Sequence, residues 1–253
     1  MKKLIYTVYF DIEDSKLDTE DYDKDLFTKK QLDCYQSRLT LNKINYSKKC
    51  ESDFILFDDK EDLENFKKNF DSDISLYTII NFYKLHLLDK LAEEYDKILF
   101  LDQDVYINTT ENIFDSLDNN LYVWYENAKE QVMEYLNFYK DKELYSRSYI
   151  NKCISSYCTS CTFDWPVNFN KYNTGVIYSD NKNIKKLNFQ KNFNFLVDNY
   201  KQILYNNSIP KNISSKFTLN NEAFFSNIVK KEKIEIKNLP QSWHHILNHE
   251  SVL

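Results

Sequence analysis

Short apolar runs that stop at acidic or amide residues, separated by stretches with helical periodicity, restrict this chain more than any other feature. Leu4–Phe10 ends at "DIED", and "DFILFDD" (53–59) closes on two aspartates. "KILFL" (97–101) gives way to "DQD", and "LYVWYEN" (121–127) leaves through Glu126 and Asn127. Runs of this length read as buried strands. "KDLFTKKQLDCYQSRLTLNKI" (24–44) reads as a helix. So does the stretch from about Thr78 to Tyr95, where Ile80, Tyr83, Leu87, Leu88, Leu91 and Tyr95 share one stripe. "KYNTGVIYSD" (171–180) reads as a turn into a strand, 192–205 and 220–231 as helices, and "KIEIKN" (233–238) as a last strand. Strands alternating with helices mean an α/β domain with a mostly parallel sheet. In such sheets ligands gather beyond the carboxyl ends of the strands, where the acidic exits lie. No repeat or linker divides the chain, so one domain is expected over 1–253. Within it, 141–164 is expected to be an irregular excursion and 240–253 a C-terminal tail closing over the site.

Composition removes several functions. With 42% apolar residues the chain can bury one good core, and a formal charge of −6 argues against a general nucleic-acid binder. No apolar stretch is long enough to span a bilayer. Leu4–Phe10 is too short, and too acidic behind, for a signal peptide. The expectation is a soluble cytoplasmic protein, or one lying peripherally at a membrane. Gly175 is the single glycine. That excludes a G-x-G-x-x-G dinucleotide loop, a G-x-x-x-x-G-K phosphate loop and a G-x-S-x-G nucleophile elbow. Any phosphate bound here must be held mainly by something else, and a metal ion is the obvious candidate. The five cysteines, three of them in "CISSYCTSC" (153–161), are expected to be reduced thiols. A zinc site there would need a fourth ligand.

"KILFLDQDVYI" (97–107) drives an apolar strand into Asp102 and Asp104. Two like charges this close repel, and burial of either is costly without a cation nearby. The pair reads as a site for a cation or charged ligand, or else as a strand ending in an acidic turn. In a chain with one glycine, Gly175 marks either a turn with positive φ or a close approach of a ligand to the backbone.

The helix followed by "YDKILFLDQDVYI" resembles the D-x-D signature of GT-A-fold (Rossmann-like) glycosyltransferases, particularly family 8. "YNTGVIYSD" resembles that family's "fN-x-G-h-h" segment, "NNEAFFSNI" its acidic helix start, and "WHH" (243–245) the place of its metal-binding histidine. The order holds over most of the chain. The resemblance implies a hexosyltransferase that moves a sugar from a nucleoside diphosphate, UDP by family habit, to a glycan or other acceptor, with retention of configuration. Mn²⁺, or Mg²⁺ in its stead, would be held by Asp102, Asp104 and His244, with His245 an alternative to His244. The implied donor contacts are Thr7, Val8, Lys84, Gln103, Asn173 and Gly175, together with Asp102. Lys84 stands where the family has an arginine, and the change loses the bidentate fork. Asn173 offers donor and acceptor to sugar hydroxyls. Glu222, which with Asn173 is the candidate catalytic residue, would be a weak nucleophile or a dipole beneath the sugar. It also reads as a first-turn acid favoured by the helix dipole. Asn221 replaces the family's usual aspartate.

Two other readings stand beside this one. A phosphatase of the haloacid dehalogenase type also ends a strand in D-x-D, but wants the motif near the N-terminus with a later lysine and second acidic pair. A degenerate GT-A domain would bind glycan or partner without turnover.

Overall fold

A computed structural model describes residues 1–12, 22–130, 133 and 147–243. Among the described residues six strands form one sheet: β1 (Lys3–Val8), β2 (Asp53–Phe57), β3 (Lys97–Leu101), β4 (Leu121–Asn127), β5 (Asn170–Asp180) and β6 (Ile236–Asn238). Their spatial order is β2-β1-β3-β5-β4-β6. β1 pairs in parallel with β2 and β3, and β4 with β6, while β5 runs antiparallel to both of its neighbours. Five strands therefore share one direction and β5 is reversed. The expected α/β sheet, mostly parallel and flanked by helices, is present.

The reversed strand explains where the site forms. Leu101, the last residue of β3, pairs with Val176 of β5. Beyond that point β5 continues backwards past the end of β3, so Asn173, Thr174 and Gly175 reach the same rim as the exits of the parallel strands. The segment 171–180 is thus strand throughout and not a turn into one. Gly175 has no positive φ, which removes the turn explanation for the glycine.

Helix α1 (Tyr22–Lys49) covers one face, where Tyr46 and Cys50 pack with Ile5, Leu99, Leu101 and Tyr178. The other face is larger and rich in aromatic rings. Helix α2 (Lys60–Lys67), α3 (Leu76–Leu91), and after them α4 (Arg147–Phe163), α5 (Asn181–Lys186), α6 (Phe189–Asn199) and α7 (Asn221–Lys231) follow in chain order. Phe82 of α3, Phe189 and Phe193 of α6 and Phe224 of α7 meet with ring centroids 5.5–5.7 Å apart. They close over Leu4, Tyr6, Ile98 and Phe100 of the sheet. Offset and edge-on contacts of this kind add to the area they bury.

Helix α3 is set by its cap: the Ser75 hydroxyl accepts the Thr78 N–H at 3.2 Å. It starts two residues before the expected boundary and ends at Leu91, so Tyr95 packs from the following loop. The segment 141–164 is not irregular where it is described, because Arg147–Phe163 forms α4; residues 141–146 lie outside the described residues. The buried side of α4 is built from Ile154, Ser155, Ser156, Cys158, Thr159 and Ser160. An apolar-periodicity reading does not register such a face. In the tail, Gln241–Trp243 forms a short helical turn.

Phe193 is fully buried among four aromatic rings, Phe66, Phe70, Phe82 and Phe189. Phe193→Ala should cost about 3–5 kcal/mol in urea unfolding, the range for a large core ring. A loss below about 1 kcal/mol would mean that this face is not packed as described.

Candidate functional site

At the rim, Asp102 is fixed from three directions. Its backbone N–H donates to the Gly175 carbonyl at 2.7 Å, continuing the β3–β5 ladder one step past the strand. Its carboxylate receives the Lys84 ammonium, at 3.1 Å to Oδ1 and 3.3 Å to Oδ2. Against its other side lies the bare Cα of Gly175, where a Cβ would come within 3.0 Å of Asp102 Oδ2 and of Asn173 Oδ1. The lone glycine therefore serves close approach, of a carboxylate to a strand. Desolvation raises the Asp102 carboxyl above its ordinary range, with Lys84 opposing the rise and Asp104 and Glu222 adding to it.

Lys84 is not a solvated helix lysine. It is 4% exposed, emerges from the core face of α3, and lies 5.4 Å above the Phe100 ring. Its own carbonyl receives the Tyr6 hydroxyl at 2.7 Å, which ties α3 to β1 at this level.

A second buried cation lies under the D-x-D loop. Lys43 of α1 has no exposed surface, and its ammonium donates to the carbonyls of Gln103 (2.9 Å) and Val105 (2.8 Å), on either side of Asp104. Burial lowers its pKa to about 8, against the pull of Asp104 and Asp102. Next to it in sequence, Asn42 exchanges two hydrogen bonds with the Ile107 backbone, at 2.8 and 3.0 Å, as a neighbouring strand would. The Tyr46 hydroxyl donates to the Glu111 carbonyl and accepts the Ile113 N–H. Three side chains of one helix face thus hold the loop from 103 to 113. Sequence reading missed all three. The available signal was a lysine on the same helical stripe as Tyr46 and Cys50.

The loop, β3, β5 and the turn at Gln241–Trp243 enclose a cleft of about 870 Å³. Asp102, Asp104, Asn173 and Gly175 line it, with Tyr106 and Trp243 at its walls. Of the expected site residues, these four come together. Thr7 and Val8 do not reach the cleft: both are buried, and the Thr7 hydroxyl is spent on Gln103 Oε1 at 3.3 Å. Gln103 points inward as well, its amide donating to the Gln36 carbonyl and Thr40 hydroxyl, so its side chain props the loop.

Glu222 also lies outside the main cleft. The Asn220 side chain caps α7 by accepting the N–H groups of Glu222 and Ala223. Glu222 Oε1 accepts the Thr174 N–H at 3.1 Å, and Oε2 is ion-paired with Lys152 of α4. Only 13% of the side chain is exposed, and through the Thr174 N–H it supports the strand that lines the cleft. Asn221 donates to the Thr174 hydroxyl at 3.0 Å, which gives the residue in the aspartate's place a packing role. His244 and His245 lie outside the described residues. Among the described residues no group of three or more His, Cys, Asp or Glu side chains is arranged to hold a metal. The Cys158 thiol is pushed up to about 12 by burial and is inert at neutral pH. Also among the described residues, no helix is long and apolar enough to cross a membrane.

No family model and no curated protein matches the chain. Among solved structures, the crystal structure of a glycosyltransferase involved in the glycosylation of the major capsid of PBCV-1 is similar over 83% of this chain and 78% of that one, with a TM-score of 0.39 and 11% identity.

Lys43 gives this site a pH signature. Its folded pKa, about 8, lies below the ordinary 10.5, so between these values the unfolded chain carries more protons on this residue than the folded one. Stability contributed here is therefore lowest below pH 8 and rises as pH climbs toward 10.5. Relative to Lys43→Met, the wild type should gain about 2–3 kcal/mol in unfolding free energy across that window. Parallel curves for the two proteins would show that Lys43 is not a buried ammonium.

Proposed function

We propose that the protein is a metal-dependent glycosyltransferase, moving a sugar from a UDP-sugar to a glycan or other acceptor with retention of configuration. One observation carries the reading: a pair of carboxylates at the carboxyl end of β3, in a cleft of about 870 Å³, with a reversed strand bringing Gly175 and Asn173 against them. A chain with a single glycine has no glycine-rich loop for phosphates, and this pair is the alternative the sequence offers.

The residues fit a hard divalent cation. Asp104 is exposed to the cleft, Asp102 keeps 37% of its side-chain surface despite its ion pair, and both offer carboxylate oxygens. When bound, Mn²⁺ or Mg²⁺ would stabilise the charge that develops on the departing nucleoside diphosphate. His244 is proposed as a third protein ligand from the tail. The chain's own residues do the rest. Lys84 orients Asp102, Lys43 and Asn42 set the height of Asp104, and Asn173 meets sugar hydroxyls at the cleft wall. Glu222 is reassigned from nucleophile to support, holding Thr174, and with it Asn173 and Gly175, in register through the Thr174 N–H.

The test is thermal unfolding with UDP, GDP, CDP or ADP, each with Mn²⁺ or with EDTA, on wild type and Asp104→Asn. A ligand at a hundred times its dissociation constant adds roughly 2.7 kcal/mol, several degrees in a domain of this size. UDP should raise the midpoint only with Mn²⁺ and only in the wild type. Silence from every nucleotide would end this reading, and release of phosphate from simple esters would favour the phosphatase instead. Nucleotide binding without turnover of any sugar donor would leave the degenerate domain.

A further inference from the structure

The two carboxylates of the cleft are matched by two ammonium groups that the cleft never sees. Lys84 meets both oxygens of Asp102 from the α3 side at 3.1 and 3.3 Å, and Lys43 lies under Gln103 and Val105 from the α1 side at 2.9 and 2.8 Å. Neither can swing out to solvent, with 4% and 0% of their surfaces exposed. They come from opposite faces of the sheet, and each interacts with the acids: Lys84 by direct contact, Lys43 through the favourable charge of Asp104 and Asp102.

We propose that Lys84 and Lys43 neutralise the Asp102–Asp104 pair from beneath, so that a divalent cation and a diphosphate load together while the cation alone binds weakly. The proposal rests on the reading of the cleft as a nucleotide-sugar site. Its physics is a charge count. Two carboxylates and two ammonium groups sum to zero before any ligand arrives. A cation entering alone leaves two positive charges in excess, close to buried ammonium groups whose repulsion is poorly screened. A diphosphate brings the missing negative charge, so each ligand raises the affinity for the other by the same factor. Lys84 and Lys43 are positioning residues in this scheme, since neither touches the ligand.

The experiment is a manganese titration followed by loss of the free-ion electron paramagnetic resonance signal, at about neutral pH. It uses wild type and Lys84→Met, alone, with UDP, and with inorganic pyrophosphate. Wild type should hold Mn²⁺ at least about tenfold more tightly when a diphosphate is present. Lys84→Met should bind Mn²⁺ alone about tenfold more tightly than wild type, and the gain from diphosphate should shrink. A lysine that only props up the fold would do the opposite, weakening metal binding when removed. Metal affinity in Lys84→Met that is unchanged or lower overturns the proposal. Should that variant fail to fold, the wild-type comparison decides, because equal Mn²⁺ affinity with and without diphosphate also overturns it. Coupling with pyrophosphate but not UDP would support the charge balance and dismiss the UDP-sugar reading.

Discussion

The contact on which the rest of the rim depends is the meeting of Asp102 with Gly175. The backbone of one residue hydrogen-bonds the other at 2.7 Å, and the carboxylate of the first occupies the space a side chain on the second would need. This arrangement depends on β5, which runs against β3 and continues past its neighbour's carboxyl end into the region where ligands gather. It also requires glycine, the one place in the chain where glycine is used. With those two conditions met, Asp102 is fixed, Asp104 follows two residues on, and Asn173 stands beside them.

Burying charge around this contact is costly, and the protein offsets the cost locally. Lys84 reaches Asp102 from a core helix, and Lys43 satisfies its ammonium on two loop carbonyls. Breaking a buried pair by removing one partner leaves an uncompensated charge, which is more damaging than never having had the pair. The lysines are therefore committed to the acids as firmly as the acids are to the cleft. Further out, the same economy of contacts recurs: Asn42 imitates a strand edge for Ile107, and Glu222 caps a backbone N–H of β5 while pairing with Lys152. Loop and strand are thus held by side chains from helices on both faces of the sheet.

Much of this was legible in the sequence, and the part that was not has identifiable causes. "LYVWYEN" marked β4 to the residue, and "KILFLDQD" showed a strand delivering two acids to a rim. Strand direction was invisible, because an apolar run marks residues that will be buried and carries no information on which way the strand crosses the sheet. Helix α4 was missed because serine, threonine and cysteine build its buried face. The two lysines were hidden by number: in a chain full of lysine, nothing local distinguishes Lys43 or Lys84 from a solvated one. Their partners lie 60 and 18 residues away, and only the fold brings them together. The opposite error touched Thr7, Val8 and Gln103, which lie near the rim in sequence terms but turn their side chains into the interior.

The central claim, that this rim is a cation and diphosphate site, is tested most directly by diffraction. Crystals grown with Mn²⁺ and UDP, measured at the manganese absorption edge, would give one anomalous peak. That peak is expected at about 2–2.5 Å from oxygens of both Asp102 and Asp104, with the diphosphate on its far side in the cleft. A peak elsewhere, or UDP bound with no metal at the two aspartates, would contradict it.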